Sequence, residues 1–262
     1  MILLLLIVFG LVFGSFINAL VWRLHEKRNW VNERSECPRC HHVLGPLDLV
    51  PVLSWVFLRG KCRYCHKRIP DNPLVELVVP ALFVLSYMYW PVPLSGQGLF
   101  DFVCWLVFIV GFVALAVYDM RWFLLPDVIV YPLIGLVVFQ VLGDWILYHH
   151  NWQLLFGPLI GALIISGLFY ILFYLSAGKW IGFGDVKLGI VLGLLAGGAM
   201  KSLLVLLTAS LIGTLIALPL LIQGKADRKT HLPFGPLLLA GMIIIGLWGS
   251  GIVSWYVGLL VA

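Results

Sequence analysis

Charge is what this sequence has least of. Its 262 residues include 12 Asp and Glu and 17 Lys and Arg, so charged residues make up 11% of the chain, against about 25% in an ordinary soluble domain. That is too little to cover a globule of this size, and it excludes a soluble globular enzyme. It also excludes a disordered chain, whose composition would be polar. The signatures of common hydrolases are missing as well. There is no HExxH to hold a catalytic metal and no GxSxG to raise a nucleophilic serine, and the serines lie scattered in apolar runs. Histidines outside the first loop are limited to His149, His150 and His231. No glycine-rich dinucleotide fingerprint appears, and no internal repeat stands out.

What fills the chain is apolar. Hydrophobic residues make up 62% of it, and the mean hydropathy is +1.05. This is the composition of an all-α polytopic membrane protein. At about 20 residues per crossing there is room for roughly eight spans and one sizeable loop. Apolar runs broken by Gly, Pro and charge place helices near 2–22, 73–90, 101–118, 128–148, 154–176, 186–199, 202–222 and 236–257. The sixth is short, so its start is expected inside the Gly-rich segment before it. The first run lacks a basic n-region and a small-residue cleavage site, and so reads as an uncleaved helix. Three regions follow: a first transmembrane helix (1–22), a loop (23–72) and a transmembrane core (73–262).

The charge that is present is unevenly placed. Residues 23–72 hold ten Lys and Arg against five Asp and Glu, and the other 212 residues balance at seven of each. The net +5 therefore sits in one loop. With the N-terminus outside, sixteen Lys and Arg fall in cytoplasmic loops and only Lys201 in an external one. The positive-inside bias thus places both termini outside. Anionic lipid headgroups suit the basic loop, and nucleic acid is not expected as a partner. The apolar stretch within it, LDLVPVLSWVFLRGKC, is expected to fold back on the membrane surface or on the helices.

That loop carries Cys37-Pro-Arg-Cys40 and Cys62-Arg-Tyr-Cys65, two CxxC pairs separated by 21 residues. Each CxxC turn can present two thiolates, and two turns close a four-sulfur tetrahedral zinc site. A reducing cytoplasm argues against disulfides. A loop with so little apolar core of its own also suits a metal staple. His41, His42 and His66 stand nearby as bystanders, and Cys104 reads as a small buried apolar side chain. A closed four-sulfur site is structural and names no reaction.

Acids at the ends of membrane helices are functional suspects. Asp119 ends the third helix, Asp185 follows Gly182-Phe-Gly184, and Glu76 lies early in the second; all three are expected near the cytoplasmic face. Asp127, after Pro126, reads as a helix N-cap, while Asp101 and Asp144 read as solvated outer ends. For any one acid a cap or a solvated end is as good a reading as chemistry. Asp119 and Asp185 differ because they share a depth, and Gly182 and Gly184 permit a backbone that helix formers resist. Two carboxylates about 4 Å apart repel by roughly 4 kcal/mol at an effective dielectric of 20, so such a pair shares one proton. One member can then act as base toward water while the other donates to a carbonyl.

GSFINALVWRL (14–24), CPRC (37–40), PVLSWVFLRGKCRYC (51–65), PLVELV (73–78), DMRWFLLPD (119–127), GFGDVK (182–187) and PFGP (233–236) occur in this order. Along nearly its whole length the chain thereby resembles the bacterial prepilin peptidases, or type IV leader peptidases. The resemblance implies a GxGD-type intramembrane aspartic protease of the bacterial cytoplasmic membrane with Asp119 and Asp185 as its pair. Its substrates would be type IV prepilins or pseudopilins, cut after a Gly to remove a basic leader at the cytoplasmic face. Glu76, Gly182, Gly184, Lys187, Pro233 and Gly235 would support substrate and cleft, with the Leu232–Pro236 segment offering irregular backbone to an extended peptide. The resemblance also implies N-methylation of the new terminus from S-adenosylmethionine, an activity tied to the cysteine-bearing loop. One departure is Arg23-Leu24-His25, where the family usually has R-x-P; it alters the exit turn of the first helix. Paired intramembrane acids beside a broken helix also occur in proton- or cation-coupled transporters. That alternative calls for an inverted repeat and a midplane site, and a pilus-assembly scaffold would leave the acids without a task.

Overall fold

The computed structural model describes residues 1–69, 73–147, 151–224 and 233–261. His149, His150, His231 and Leu232, named above, lie outside these residues, as do Asp71, Lys225, Arg228 and Lys229 among the charges counted there. Among the described residues every extended element is helical, and strand-like pairing is confined to two isolated bridges, Glu36 with Val43 and Lys61 with Arg68. The chain forms two compact units, residues 1–88 and 89–262.

The first unit contains α1 (Ile2–His25), a 3₁₀ turn (Pro46–Asp48), the short α2 (Leu53–Phe57) and α3 (Leu74–Tyr89). Two glycines one turn apart on α1 bring it into backbone contact with α3. A Cβ added at Gly10 would fall 2.4 Å from Pro80 Cα, and one at Gly14 would fall 2.6 Å from Glu76 Cα. Any side chain at either position would force the helices apart, so these glycines fix the height of Glu76 against α1.

The second unit contains α4 (Gln97–Trp122), α5 (Asp127–Leu147), α6 (Gln153–Ser176), α7 (Phe183–Ala196), α8 (Ala199–Ile222) and α9 (Phe234–Val261). Its core is built from Phe108, Ile109, Phe112 and Leu115 of α4, Leu188 and Leu192 of α7, and Leu238, Leu239 and Met242 of α9, all fully buried. Around it Leu163, Leu175, Leu215 and Ile222 are exposed, as expected of a bundle whose solvent is lipid. The closest approach is between α6 and α7. A Cβ at Gly161 would sit 2.3 Å from Gly193 O, and one at Gly193 would sit 2.3 Å from Gly161 O and 2.4 Å from Ala162 Cα. Within lipid no hydrophobic force drives helices together, and small residues that admit backbone contact supply the packing instead.

Among the described residues six helices are long and apolar enough to cross a bilayer: Ile2–His25, Gln97–Trp122, Asp127–Ile146, Gln153–Ser176, Ala199–Ile222 and Phe234–Leu259. Of the eight runs expected from sequence, α3 and α7 are shorter, at 16 and 14 residues. At 1.5 Å per residue the 14 residues of α7 rise about 21 Å, short of a hydrocarbon core of about 30 Å. Helix α7 packs against α5, α6, α8 and α9, so its apolar residues are satisfied by protein. It begins at Phe183, inside the Gly-rich segment, as the sequence suggested.

Candidate active site and metal centre

Asp119 lies in the last turn of α4 and is 6% exposed. The helix stops there because Phe123 turns left-handed (φ 55°), its N–H returning to Asp119 O at 2.8 Å. For a residue other than glycine that conformation costs about 1–2 kcal/mol, so a strained turn adjoins the acid. Pro126 then holds Leu125 away from helical geometry. Leu125 fills the space between the two Gly-bearing segments: a Cβ at Gly184 would lie 3.1 Å from Leu125 Cβ, and one at Gly235 would lie 3.6 Å from Leu125 Cδ2. Gly235 also abuts the acid, since its added Cβ would stand 2.5 Å from Asp119 Oδ2. The Gly235 N–H donates to the Asp119 carboxyl. That amide belongs to the first turn of α9, where four N–H groups have no acceptor in the helix.

Asp185 is the third residue of α7, whose N-cap is Gly182. Its half-buried carboxyl lies beside the Gly182 amide, while its own N–H donates to Gly182 O at 3.1 Å. Asp119 lies within electrostatic reach of Asp185. Two helix N-termini, those of α7 and α9, therefore each direct an amide at one of two neighbouring carboxyls. The positive ends of both helix dipoles favour negative charge there.

Several details differ from the sequence reading. Gly182 is extended (φ −77°, ψ 153°) and Gly184 is helical, so neither supplies an unusual backbone; Gly184 is needed for the room it leaves Leu125. Phe234, Gly235 and Pro236 form the first turn of α9, which makes this segment a helix start rather than irregular backbone, with Pro233 just before it. Asp127 opens α5 but is not its cap: Pro126 O accepts from Ile129 and Val130 at 3.0 and 3.1 Å. The Asp127 carboxylate pairs with Lys187, whose ammonium also lies 5.4 Å from the Tyr131 ring centre and 5.5 Å from that of Phe183. Asp101 accepts from Gln140 at 2.9 Å and Asp144 from Gln97, so each has a side-chain amide as partner.

In the first unit Glu76 accepts the Val52 N–H at 2.6 Å and so holds a turn in which Val52 itself is left-handed (φ 61°). The same unit gathers Cys37, Cys40, Cys62 and Cys65, whose four sulfurs all lie within 4.8 Å of one another, Cys37 and Cys65 at 4.0 Å. Tetrahedral zinc with Zn–S near 2.3 Å places sulfurs about 3.8 Å apart, so the residues fit a four-sulfur metal. The two CxxC turns are copies of one another. Cys37 N bonds His42 O, His41 N bonds Cys37 O and Leu44 N bonds Ser35 O; Cys62 N bonds Lys67 O, His66 N bonds Cys62 O and Ile69 N bonds Gly60 O. His41 and His66 both take φ 56°. They serve as the left-handed corners of the turns, and among the described residues the group that could hold a metal consists of the cysteines alone. Burial raises the Cys62 thiol, but the Cys65 and Tyr64 amides outweigh it and bring the group below its ordinary value. Asp48 ties the 3₁₀ turn to the second knuckle, accepting from Arg63 at 2.6 Å, Gly45 N at 3.1 Å and Tyr64 at 3.2 Å. Burial pushes its carboxyl up, yet these donors hold it below the usual carboxylate value.

Sequence reasoning passed over the knuckle repeat, although SECPRCHHVL (35–44) and GKCRYCHKRI (60–69) align at a constant offset of 25. It also passed over Leu125, which carries no chemistry, and Asn18, buried near the end of α1; Arg23, noted only for the turn after it, is buried there too.

The model of the bacterial peptidase A24 N-terminal domain matches residues 8–90, and that of the type IV leader peptidase family matches residues 106–218. The prepilin leader peptidase/N-methyltransferase of Aeromonas salmonicida (strain A449) is 31% identical over 280 residues, covering 96% of this chain and 92% of that protein. The proteins of the same name from Pseudomonas aeruginosa and Bacillus subtilis (strain 168) are each 32% identical, over 276 and 253 residues. These alignments cover 95% and 96% of this chain and 91% and 96% of those proteins. No solved structure matches the chain. With two family models in order and relatives above 30% identity along almost its full length, this chain belongs to the type IV leader peptidase family of enzymes.

Proposed function

We propose that the protein is a membrane-embedded aspartic endopeptidase that removes the basic leader from type IV prepilins or pseudopilins at the cytoplasmic face of the bacterial membrane, with both termini outside. The observation that carries this reading is the pairing of a buried Asp119, held by the α9 amide of Gly235, with Asp185 at the start of α7. The ionised member takes a proton from water, whose oxygen attacks the scissile carbonyl carbon. The protonated member donates to the carbonyl oxygen; as the C–N bond breaks, the departing amine takes the proton that the first aspartate removed from water, and a hydroxyl proton returns to the second as the carbonyl re-forms. Amides at two helix ends hold the single shared charge beside the attacking water. A glycine before the scissile bond lets the substrate helix unwind, since a helical amide is otherwise shielded by its own hydrogen bonds. Gly182, Gly184, Lys187, Pro233 and Gly235 support the cleft, while Glu76 acts within the first unit as acceptor for Val52.

Cys37, Cys40, Cys62 and Cys65 hold a structural zinc ion in this reading, in a knuckle pair too small to fold on apolar burial alone. The names of the relatives support a second activity, N-methylation of the freed terminus. S-adenosylmethionine, when bound, supplies a methyl group on a positively charged sulfur. The test is cleavage of a co-reconstituted prepilin by Asp119→Asn and Asp185→Asn proteins, isosteric changes that remove charge and keep shape. Each is expected to lose nearly all cleavage with membrane insertion and zinc content intact. Near-normal cleavage by either variant overturns the aspartic mechanism.

A further inference from the structure

The first unit contains a cavity of about 150 Å³ between the cytoplasmic-side end of α1, the α2 turn and the start of α3. Its lining has an uneven polarity. Asn18 is 8% exposed, and its Oδ1 has no hydrogen-bond partner among the described residues. A buried acceptor left unpaired costs about 1–3 kcal/mol, so this atom marks a place for a donor. Glu76, beside it on the lining, uses Oε2 for the Val52 N–H, which leaves Oε1 to accept. Arg23, also 8% exposed, donates to Trp30 O and Ser35 Oγ, both at 3.1 Å and both neutral. A guanidinium has five N–H donors, and a buried cation is ordinarily matched to an anion. Trp22 and Trp55 complete the wall with aromatic surface.

Glu36, Asp48 and Arg63 also line the cavity, but Glu36 is paired with Arg28 and Asp48 with Arg63; the groups left over, a buried cation, two acceptors and aromatic surface, match a zwitterion carrying a further positive centre. A carboxylate would meet Arg23, an ammonium would meet Asn18 and Glu76, and an onium sulfur would lie against the indole of Trp55, as cations do over aromatic rings, since the Arg28 guanidinium already sits 5.2 Å from the Trp22 ring centre. The size narrows the fit. At about 30 Å³ per water the cavity holds roughly five waters, well below the ~300 Å³ at which pockets begin to enclose a whole drug-sized ligand. It therefore takes one end of such a molecule.

We propose that this cavity seats the amino-acid end of S-adenosylmethionine, with the nucleoside end toward its mouth, and that Asn18, Arg23 and Glu76 are its polar contacts. The assignment rests on the methyl-transfer part of the reading above and is independent of the aspartate pair. The test is calorimetric titration of the full-length, detergent-solubilised protein with S-adenosylmethionine and with its demethylated product, S-adenosylhomocysteine, in the absence of prepilin. Saturable one-to-one binding is expected. Asn18→Leu, which keeps the volume and removes the acceptor, should weaken it at least tenfold, and Ala19→Leu, which narrows the cavity, should do the same. Zinc content serves as the folding control for both. No binding by the unaltered protein, or unchanged affinity in both variants, overturns the assignment, as does displacement by a phosphatidylethanolamine-containing vesicle that leaves no saturable donor site. Asp119→Asn should bind the donor as the unaltered protein does. If that variant also cleaves normally, the aspartic reading fails while the donor site stands.

Discussion

Gly235→Ala separates catalysis from stability with a single methyl group. The added Cβ would stand 2.5 Å from Asp119 Oδ2, and ordinary contact begins near 3.4 Å, so the pair must open by about 0.9 Å. The yielding partner is the carboxyl, the free end of a side chain, because Gly235 is fixed in the first turn of α9. Retreat of the carboxyl also stretches or breaks its bond from the Gly235 N–H. Hydrogen bonds to charged groups contribute about 1.5–3 kcal/mol, and a misplacement of about 1 Å can cost a factor of 10² in rate. Both routes lead to a loss of roughly 100-fold in kcat, or about 2.7 kcal/mol of barrier. Stability should move the other way or not at all, since alanine in a helix is favoured over glycine by about 0.5–1 kcal/mol. The assay is single-turnover cleavage of a prepilin in vesicles, alongside thermal unfolding of the same preparation. Wild-type cleavage by the alanine variant would refute the placement of Gly235 against a working Asp119. A matching fall in unfolding temperature would instead make the residue merely structural.

Three further outcomes follow from other parts of the molecule. Gly193→Ala drives a Cβ to within 2.3–2.4 Å of backbone atoms of Gly161 and Ala162, which cannot swing aside. Overpacking of this kind costs about 1–3 kcal/mol, and a protein that unfolds in detergent at an unchanged temperature would contradict the α6–α7 contact. Cys37→Ser combined with Cys40→Ser should reduce bound zinc, measured by metal analysis, from about one ion per chain to none; full retention, or no zinc in the unaltered protein under reducing conditions, would refute the four-sulfur centre. Asp48→Asn should lower the melting temperature of the loop near neutral pH. The Asp48 carboxyl is held below its ordinary value when folded, so its contribution is present above the unfolded pKa of about 4 and is lost as pH falls through the folded one. The gap between variant and parent should therefore close in acid, and a gap independent of pH would exclude the assigned role.

Legibility in the sequence followed range. An apolar run in a chain this poor in charge has one way to satisfy its backbone in lipid, so the helices could be placed from composition alone. They lie within a few residues of expectation, from α1 (Ile2–His25) to α9 (Phe234–Val261). The paired CxxC spacing likewise confined four thiols to one short loop, and they converge. Local signals misled where two elements compete for one atom. Asp127 follows a proline as a cap would, yet its carboxylate goes to Lys187, sixty residues on. The glycines of GFGD and PFGP suggested loose backbone, and both segments are helix starts.

Composition and spacing thus determined what kind of protein this is: an apolar helical bundle with a four-cysteine loop and acids at helix ends. Tertiary structure alone decided which atoms meet. Leu125 is an unremarked apolar residue in the chain, yet it fills the gap between Gly184 and Gly235. Asn18 became visible only as a buried acceptor without a donor among the described residues. The α9 amide that holds Asp119 comes from 116 residues away along the chain. Hydropathy and short spacings act along the chain and can be read from it. A hydrogen bond or a 2.5 Å approach depends on two distant segments arriving together, and that is fixed by the packing of whole helices.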